Sequence, residues 1–235
     1  DSRHSPRNGI FRIYPYSVNG DYGGQSRTGK VCKHMIPFPN KKYDVIYADP
    51  PWSYRLYNGT GNGPAAKHYK TMKPEEIYNL PVQDIAAENC ILFLWVTFPN
   101  LEIGLETIRR WGFKYKTAAF VWVKRNKKSP GWFWGLGSWT RANAEVCLLA
   151  TKGRPKRVSK AVHSIIDEPV GKHSEKPAVV RDRIVQLCGG GNMIELFARN
   201  AAPGWDAWGD EIEGGVIYAE NNGQGYYKGH DTSLV

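Results

Sequence analysis

A carboxylate followed by two prolines and a tryptophan, Asp49-Pro50-Pro51-Trp52, is the stretch of this chain best equipped for chemistry. The prolines fix φ at about −65° and remove two N–H donors, so the carbonyls of Asp49 and Pro50 are expected to point outward with no helix or ladder to join. With the Asp49 carboxylate they form a rigid cluster of hydrogen-bond acceptors, and Trp52 adds a flat face suited to stacking. Acceptors beside a stacking face match an exocyclic amine on a purine or pyrimidine ring. The competing reading is a Pro-Pro turn closed by a core tryptophan.

Two further stretches combine cations with other chemistry. Lys124, Arg125, Lys127 and Lys128 precede Trp132, Phe133, Trp134 and Trp139, with glycines at 131, 135 and 137 and Arg141 beyond. Basic residues interleaved with aromatics on a Gly-rich loop suit phosphate contact plus base stacking; a solvated loop whose aromatics cap the core is the alternative. Lys152, Arg154, Lys156, Arg157 and Lys160 form a second basic run, read as a phosphate-facing patch or a solvated turn. The chain carries 32 Lys+Arg against 22 Asp+Glu, a net charge of +10, which favours a polyanionic partner. Cys32, Cys90, Cys147 and Cys188 are widely spaced and no pair has metal-ligand spacing, so no metal is expected; Cys90 and Cys147 lie in or beside apolar runs and read as reduced core residues of an intracellular protein. No window approaches the ~18 apolar residues of a membrane span, which places the chain in the cytoplasm or nucleus.

The elements that must position these residues follow from periodicity. Val45-Ile46-Tyr47 is a short apolar strand ending at Asp49. Residues 53–73, with Gly59, Gly61, Gly63 and Lys67-His68-Tyr69-Lys70, form a long loop, a candidate lid. A broken helix is expected over 74–87, a strand over 90–96, a helix over 99–111, and strands over 117–124 and 145–151. A helix over 176–188, strands over 193–197 and 205–208, a short helix and a Gly-rich tail complete the chain. Strands alternating with helices give an open α/β sheet whose ligands bind beyond the carboxyl ends of the strands. Asp49, then Arg199 with Asn200, then Asp210 with Glu211 follow three of those strands.

In this order the chain resembles the MT-A family, named for the seventy-kilodalton subunit of the messenger-RNA adenosine methyltransferase. The resemblance rests on ADPPW at 48–52, LFLWVT at 92–97, VWVKRN at 121–126, WTRANAEVCLLATKG at 139–153, HSEKP at 173–177 and IELFAR at 194–199. It implies a Rossmann-like methyltransferase fold, a mostly parallel central sheet flanked by helices, in permuted order with the catalytic strand before the cofactor-binding strand. The motifs cover most of residues 43–213; composition sets a flexible arm at 1–30 and a Gly-rich tail at 221–235 apart from a catalytic domain at 31–220. The implied donor is S-adenosylmethionine. Lys176 would meet its methionine carboxylate, Arg199 and Asn200 its ribose hydroxyls near Glu195 and Phe197, Asp210 and Glu211 its adenosine part, and Val31 and Cys32 its adenine, with Asp49 alongside. Where many methyltransferases have Gly-x-Gly, this chain reads Phe197-Ala198-Arg199-Asn200, as the family does.

For the target base the resemblance points to Trp52, Tyr69 and Glu145, with Trp139 and Asn143 nearby. For the nucleic-acid backbone the candidates are Lys124, Arg125, Lys127, Lys128, Arg141, Arg154, Lys156 and Arg157. The wording resembles the bacterial, phage and ciliate branch of the family, which implies N6-methylation of adenine in DNA. The alternatives are the same reaction on RNA and a non-catalytic nucleic-acid-binding subunit. A homodimer or a heterodimer with a related chain is also implied, with 124–141 as a contact.

Overall fold

The computed structural model describes residues 36–53, 71–137, 139–171 and 175–219. Val31, Cys32 and Tyr69, the arm, most of the 53–73 loop and the tail lie outside the described residues. Among the described residues, eight strands and four α-helices run in the order β1 (Tyr43–Ala48), α1 (Pro74–Tyr78), α2 (Val82–Ile85), β2 (Ala86–Val96), α3 (Leu101–Arg110), β3 (Lys114–Arg125), β4 (Glu145–Lys152), β5 (Ile165–Pro169), α4 (Val179–Cys188), β6 (Met193–Leu196), β7 (Asp206–Trp208) and β8 (Val216–Ile217). They form one sheet, β5-β3-β4-β2-β1-β6-β7-β8, in which only β4 and β8 run against the other six.

Strand alternation explains why β1 and β2 read as continuous apolar runs. Ile46, Ala48, Leu92, Leu94 and Val96 face one side, where Ile77, Val82, Ile85, Ile108 and Trp111 of the first helices and the α3 end cover them. Val45, Tyr47, Phe93 and Trp95 face the other, covered by Val180 and Ile184 of α4. Both faces of the central strands are therefore buried, and polar residues are confined to the strand ends. Chain order places the switch point between β1 and β6: β1 leads across to β2 on one side, and β6 to β7 on the other.

Two expectations are corrected. The segment after β7 is no short helix: Gly214 and Gly215, at φ of 72° and 79°, turn the chain back so that β8 pairs antiparallel with β7. Positive φ at two successive residues stops a right-handed helix. The sequence reading also missed β5, an edge strand of five residues paired with β3, because its single buried residue, Ile166, offers no alternation to detect.

Candidate functional site

Asp49 immediately follows β1, and its backbone N–H approaches the Leu196 carbonyl of β6 at 3.5 Å, so the carboxylate stands at the switch point. The Pro-Pro turn is tied down on both sides. Trp52 N–H donates to the Pro50 carbonyl at 2.8 Å, and Met72 N–H to the Pro51 carbonyl at 2.9 Å. The Pro50 oxygen thus already accepts one bond within the turn and keeps one lone pair for a ligand.

Four charges alternate in a line from Asp49. Lys176 Nζ lies 2.6 Å from Asp49 Oδ2 and 3.4 Å from Glu145 Oε2, and Lys124 Nζ lies 2.6 Å from Glu145 Oε1. Tryptophan rings underlie both lysines: Trp95 has its centroid 5.5 Å from Lys176 Nζ, Trp122 5.0 Å from Lys124 Nζ. Lys176 comes from the segment before α4, Glu145 from the first position of β4, and Lys124 from the end of β3, so the sheet topology assembles the line at one edge. The second Asp49 oxygen accepts no bond from the described residues, and the side chain remains about a quarter exposed, at 26%.

Burial raises the Asp49 pKa and the Glu145 charge adds to that, although Lys176 pulls it back. Burial works against the Lys176 ammonium, but Asp49 and Glu145 outweigh it and hold Lys176 charged. Glu145 feels burial first as well, yet Lys176 and Lys124 together bring it below its ordinary value.

Several residues take places that the sequence did not indicate. Trp52 does not offer a stacking face: it is 6% exposed, packs in the core beneath the turn and donates from Nε1 to the Trp95 carbonyl at 3.0 Å. Lys124 is committed to Glu145 rather than open to phosphate. Asn143 is occupied at both amide atoms, accepting from Lys124 N–H at 2.9 Å and donating to the Lys124 and Phe133 carbonyls, so it closes the β3–β4 hairpin. Arg125 chelates Asp167 at 2.6 and 2.7 Å and stacks on Trp132. Glu195 is chelated by Arg181 of α4 at 2.6 and 3.0 Å, and burial raises it against that pull. Arg154, Lys156 and Arg157 follow the antiparallel β4 and so leave the sheet at the edge opposite Asp49; the structure does not bring them to the site.

Lys127, Lys128, Arg141 and Trp139 are exposed on the β3–β4 hairpin. Beyond β6, Phe197 holds φ of 62°, a left-handed conformation uncommon for a residue other than glycine, with its ring edge-on to Trp208 at 5.4 Å. Arg199 Nε lies 3.5 Å from Glu211 across the ends of β6 and β7, while Asn200 and Asp210 are exposed there. Trp95 was missed by sequence reasoning, since its place in LFLWVT marks it only as one more apolar strand residue.

Lys124→Met is expected to destabilise the protein by roughly 1–3 kcal/mol at neutral pH, because Glu145 loses one of its two cations in a mostly buried place. Glu145 has a lowered pKa in the folded state, so its contribution is present above its unfolded value and fades as pH falls through the folded one. Urea unfolding of both proteins should therefore show the gap closing in acid. A gap independent of pH would sink this assignment.

A family model described as MT-A70 matches residues 43–211, from the first residue of β1 to just past β7. Type II methyltransferase M.MunI of Mycoplasma sp is 36% identical over 232 residues, covering 91% of this chain and 97% of that protein. The N(6)-adenosine-methyltransferase catalytic subunit METTL3 of Homo sapiens is 30% identical over 177 residues, 74% of this chain and 29% of that one. A putative N(6)-adenosine-methyltransferase MT-A70-like protein of Medicago truncatula is 31% identical over 176 residues, 74% of this chain and 27% of its own length. The matched span contains the Pro-Pro turn, all four charges of the line and the ends of β6 and β7, and on that extent the chain belongs to the MT-A70 family.

Proposed function

We propose that this methyltransferase transfers a methyl group from S-adenosylmethionine to the N6 amine of adenine in DNA. The observation that carries the reading is the Asp49 oxygen left open beside the Pro50 carbonyl, at the switch point of a family methyltransferase sheet. Two acceptors held on one rigid turn suit the two hydrogens of an exocyclic amine. DNA is preferred because similarity to a type II methyltransferase runs the length of both chains. Adenine is preferred because relatives named for N(6)-adenosine methylation share the same span.

The donor set fits S-adenosylmethionine. Lys176 is a charged ammonium for its carboxylate, Asp49 an acceptor beside it, Arg199 and Asn200 donors for its ribose, and Asp210 and Glu211 acceptors for its adenosine part; Val31 and Cys32 are proposed to border the adenine. When bound, the group supplies an electrophilic methyl. The chain's own residues prepare the nucleophile. The adenine amine is a poor one because its lone pair is delocalised into the ring. Hydrogen bonds to the Asp49 carboxylate and the Pro50 carbonyl localise that pair and fix its direction. The methylated amine is cationic and acidic, so the proton it sheds needs only a weak acceptor, and no strong general base is required. Glu145 and Tyr69 are proposed to border the base, which must leave its stack to reach the turn.

The test is methyl transfer from labelled S-adenosylmethionine to matched single- and double-stranded DNA and RNA oligonucleotides, followed by digestion to nucleosides. Label is expected in DNA as N6-methyladenosine's deoxy form. Label confined to RNA, or found on cytosine, overturns the assignment of substrate, and binding without turnover favours a non-catalytic subunit.

A further inference from the structure

The β3–β4 connection is an exposed element that the chemistry above does not use. Residues 126–144 rise from Lys124 and Glu145, the two members of the charge line farthest from Asp49, and leave the sheet at the same end of the strands as Asp49. The described residues of the connection are braced by hydrogen bonds. Asn126 N–H donates to the Gly131 carbonyl at 3.1 Å, Phe133 N–H to Lys124 at 2.9 Å and Gly135 N–H to Ala142 at 2.7 Å. Arg141 donates to the Gly135 and Trp134 carbonyls at 2.9 and 3.2 Å, and Asn143 clamps the base. Near the tip, Gly137 has φ of 65°, and a Cβ there would collide with the Thr140 carbonyl oxygen, so the turn requires glycine.

On this braced hairpin sit large apolar side chains turned to solvent: Leu136 is 83% and Trp139 91% exposed. An apolar surface of this kind marks a contact site, and charge selects the partner. Residues 126–144 contain Lys127, Lys128 and Arg141 and no aspartate or glutamate. Two copies packed through this face would set cations against cations, whereas a phosphate backbone neutralises them while bases meet the apolar tip.

We infer that the hairpin tip is a wedge for nucleic acid: Leu136 and Trp139 enter the base stack where the target base has left it, and Lys127, Lys128 and Arg141 hold the flanking phosphates. This rests on the reading of the chain as a DNA adenine methyltransferase, whose target must be extruded to reach Asp49. Apolar side chains inserted at base steps are an established way to keep a duplex open, and rigidity is what a wedge needs.

The test is fluorescence anisotropy with a matched DNA duplex and the same duplex carrying one extrahelical adenine. The wild type is expected to prefer the second by about ten-fold, the scale of one aromatic-base stack. The double variant Leu136→Ala, Trp139→Ala, whose truncated side chains leave the core untouched, should lose that preference while binding the matched duplex within about three-fold of wild type. Trp139→Phe, which keeps a flat ring, should retain it. No preference in the wild type, or an equal preference in the double variant, overturns the wedge. So does a sedimentation shift from dimer to monomer in the double variant, which would assign the surface to a second copy. Methyl transfer measured on the same duplexes separates the two ideas: preference that follows Leu136 and Trp139 without any methylation removes the proposed activity and leaves the wedge.

Discussion

Asp49→Ala is expected to lower the single-turnover rate of methyl transfer by about a thousand-fold or more while the protein stays folded. Removing one preorganised group from a developing charge costs roughly 10²–10³, and in the mechanism proposed above the same side chain also orients the amine, so misplacement adds to the loss. The fold tolerates the change because Asp49 sits past the end of β1 and Lys176 keeps Glu145 at 3.4 Å as a second partner. Asp49→Asn keeps an oxygen acceptor and loses the charge, so a smaller loss of about a hundred-fold is expected. The pH dependence has a definite sign. Only the ionised carboxylate accepts on both oxygens, so the rate falls as pH drops through the Asp49 pKa, and burial with the Glu145 charge places that fall above the usual aspartate range. Glu145→Gln removes the repulsion and should move the acid limb to lower pH. Retention of more than a tenth of the rate in Asp49→Ala, or an unchanged acid limb in that variant, would sink the role given to the carboxylate.

The charge line explains why Asp49 needs its neighbours. A lone buried carboxylate would protonate and become a donor. Lys176 keeps it charged, but one lysine between two carboxylates leaves a deficit that Lys124 fills from the far end. The line therefore ends on a cation at the root of the hairpin and on an acceptor at the switch point. Substitution at Lys124 acts on Asp49 only through Glu145 and Lys176, which separates it from a phosphate contact: its loss changes a pH profile, whereas loss of a phosphate contact changes a salt dependence.

How much of this was legible in the sequence depends on what each residue had to meet. The strand ending at Asp49, the order of the motifs and the polar strand ends are local or periodic features, and periodicity reports which segments are buried on both faces. Lys124 and Glu145 are a different case. They stand 21 residues apart and meet only because β3 and β4 pair with Trp122 opposite Glu145. A lysine reads alike in sequence whether it faces phosphate or a buried carboxylate. The basic run from Lys152 onward looked equivalent to the one at Lys124, yet the reversed direction of β4 sends it to the other edge of the sheet. Direction is a property of pairing, which composition does not carry.

Trp52 gives the sharpest contrast between a motif and its surroundings, and Trp52→Ala is expected to cost about 3–5 kcal/mol, the range for a large aromatic removed from a core. The ring belongs to the core cluster that also holds Ile77, Leu94 and Val96, and Met72 bridges to its backbone. Trp52→Phe separates the ring from its N–H. Most of the packing survives, but the Trp95 carbonyl loses the Nε1 donor at 3.0 Å in a dry place, a cost of about 1–3 kcal/mol. If Trp52 supports the turn from below, activity in both variants should follow stability: osmolytes or lower temperature that restore the fold should restore most of the rate, and the Michaelis constant for the oligonucleotide should stay near wild type. If the ring instead stacked on the base, Trp52→Ala would raise that constant in fully folded protein, and Trp52→Phe would leave it unchanged. With the indole 6% exposed and pinned to the Trp95 carbonyl, whose own ring lies under Lys176, the first outcome is the expected one. The tryptophan of the motif then acts by fixing the height of Pro50 and Asp49 against Lys176, and the base finds its stacking partners elsewhere.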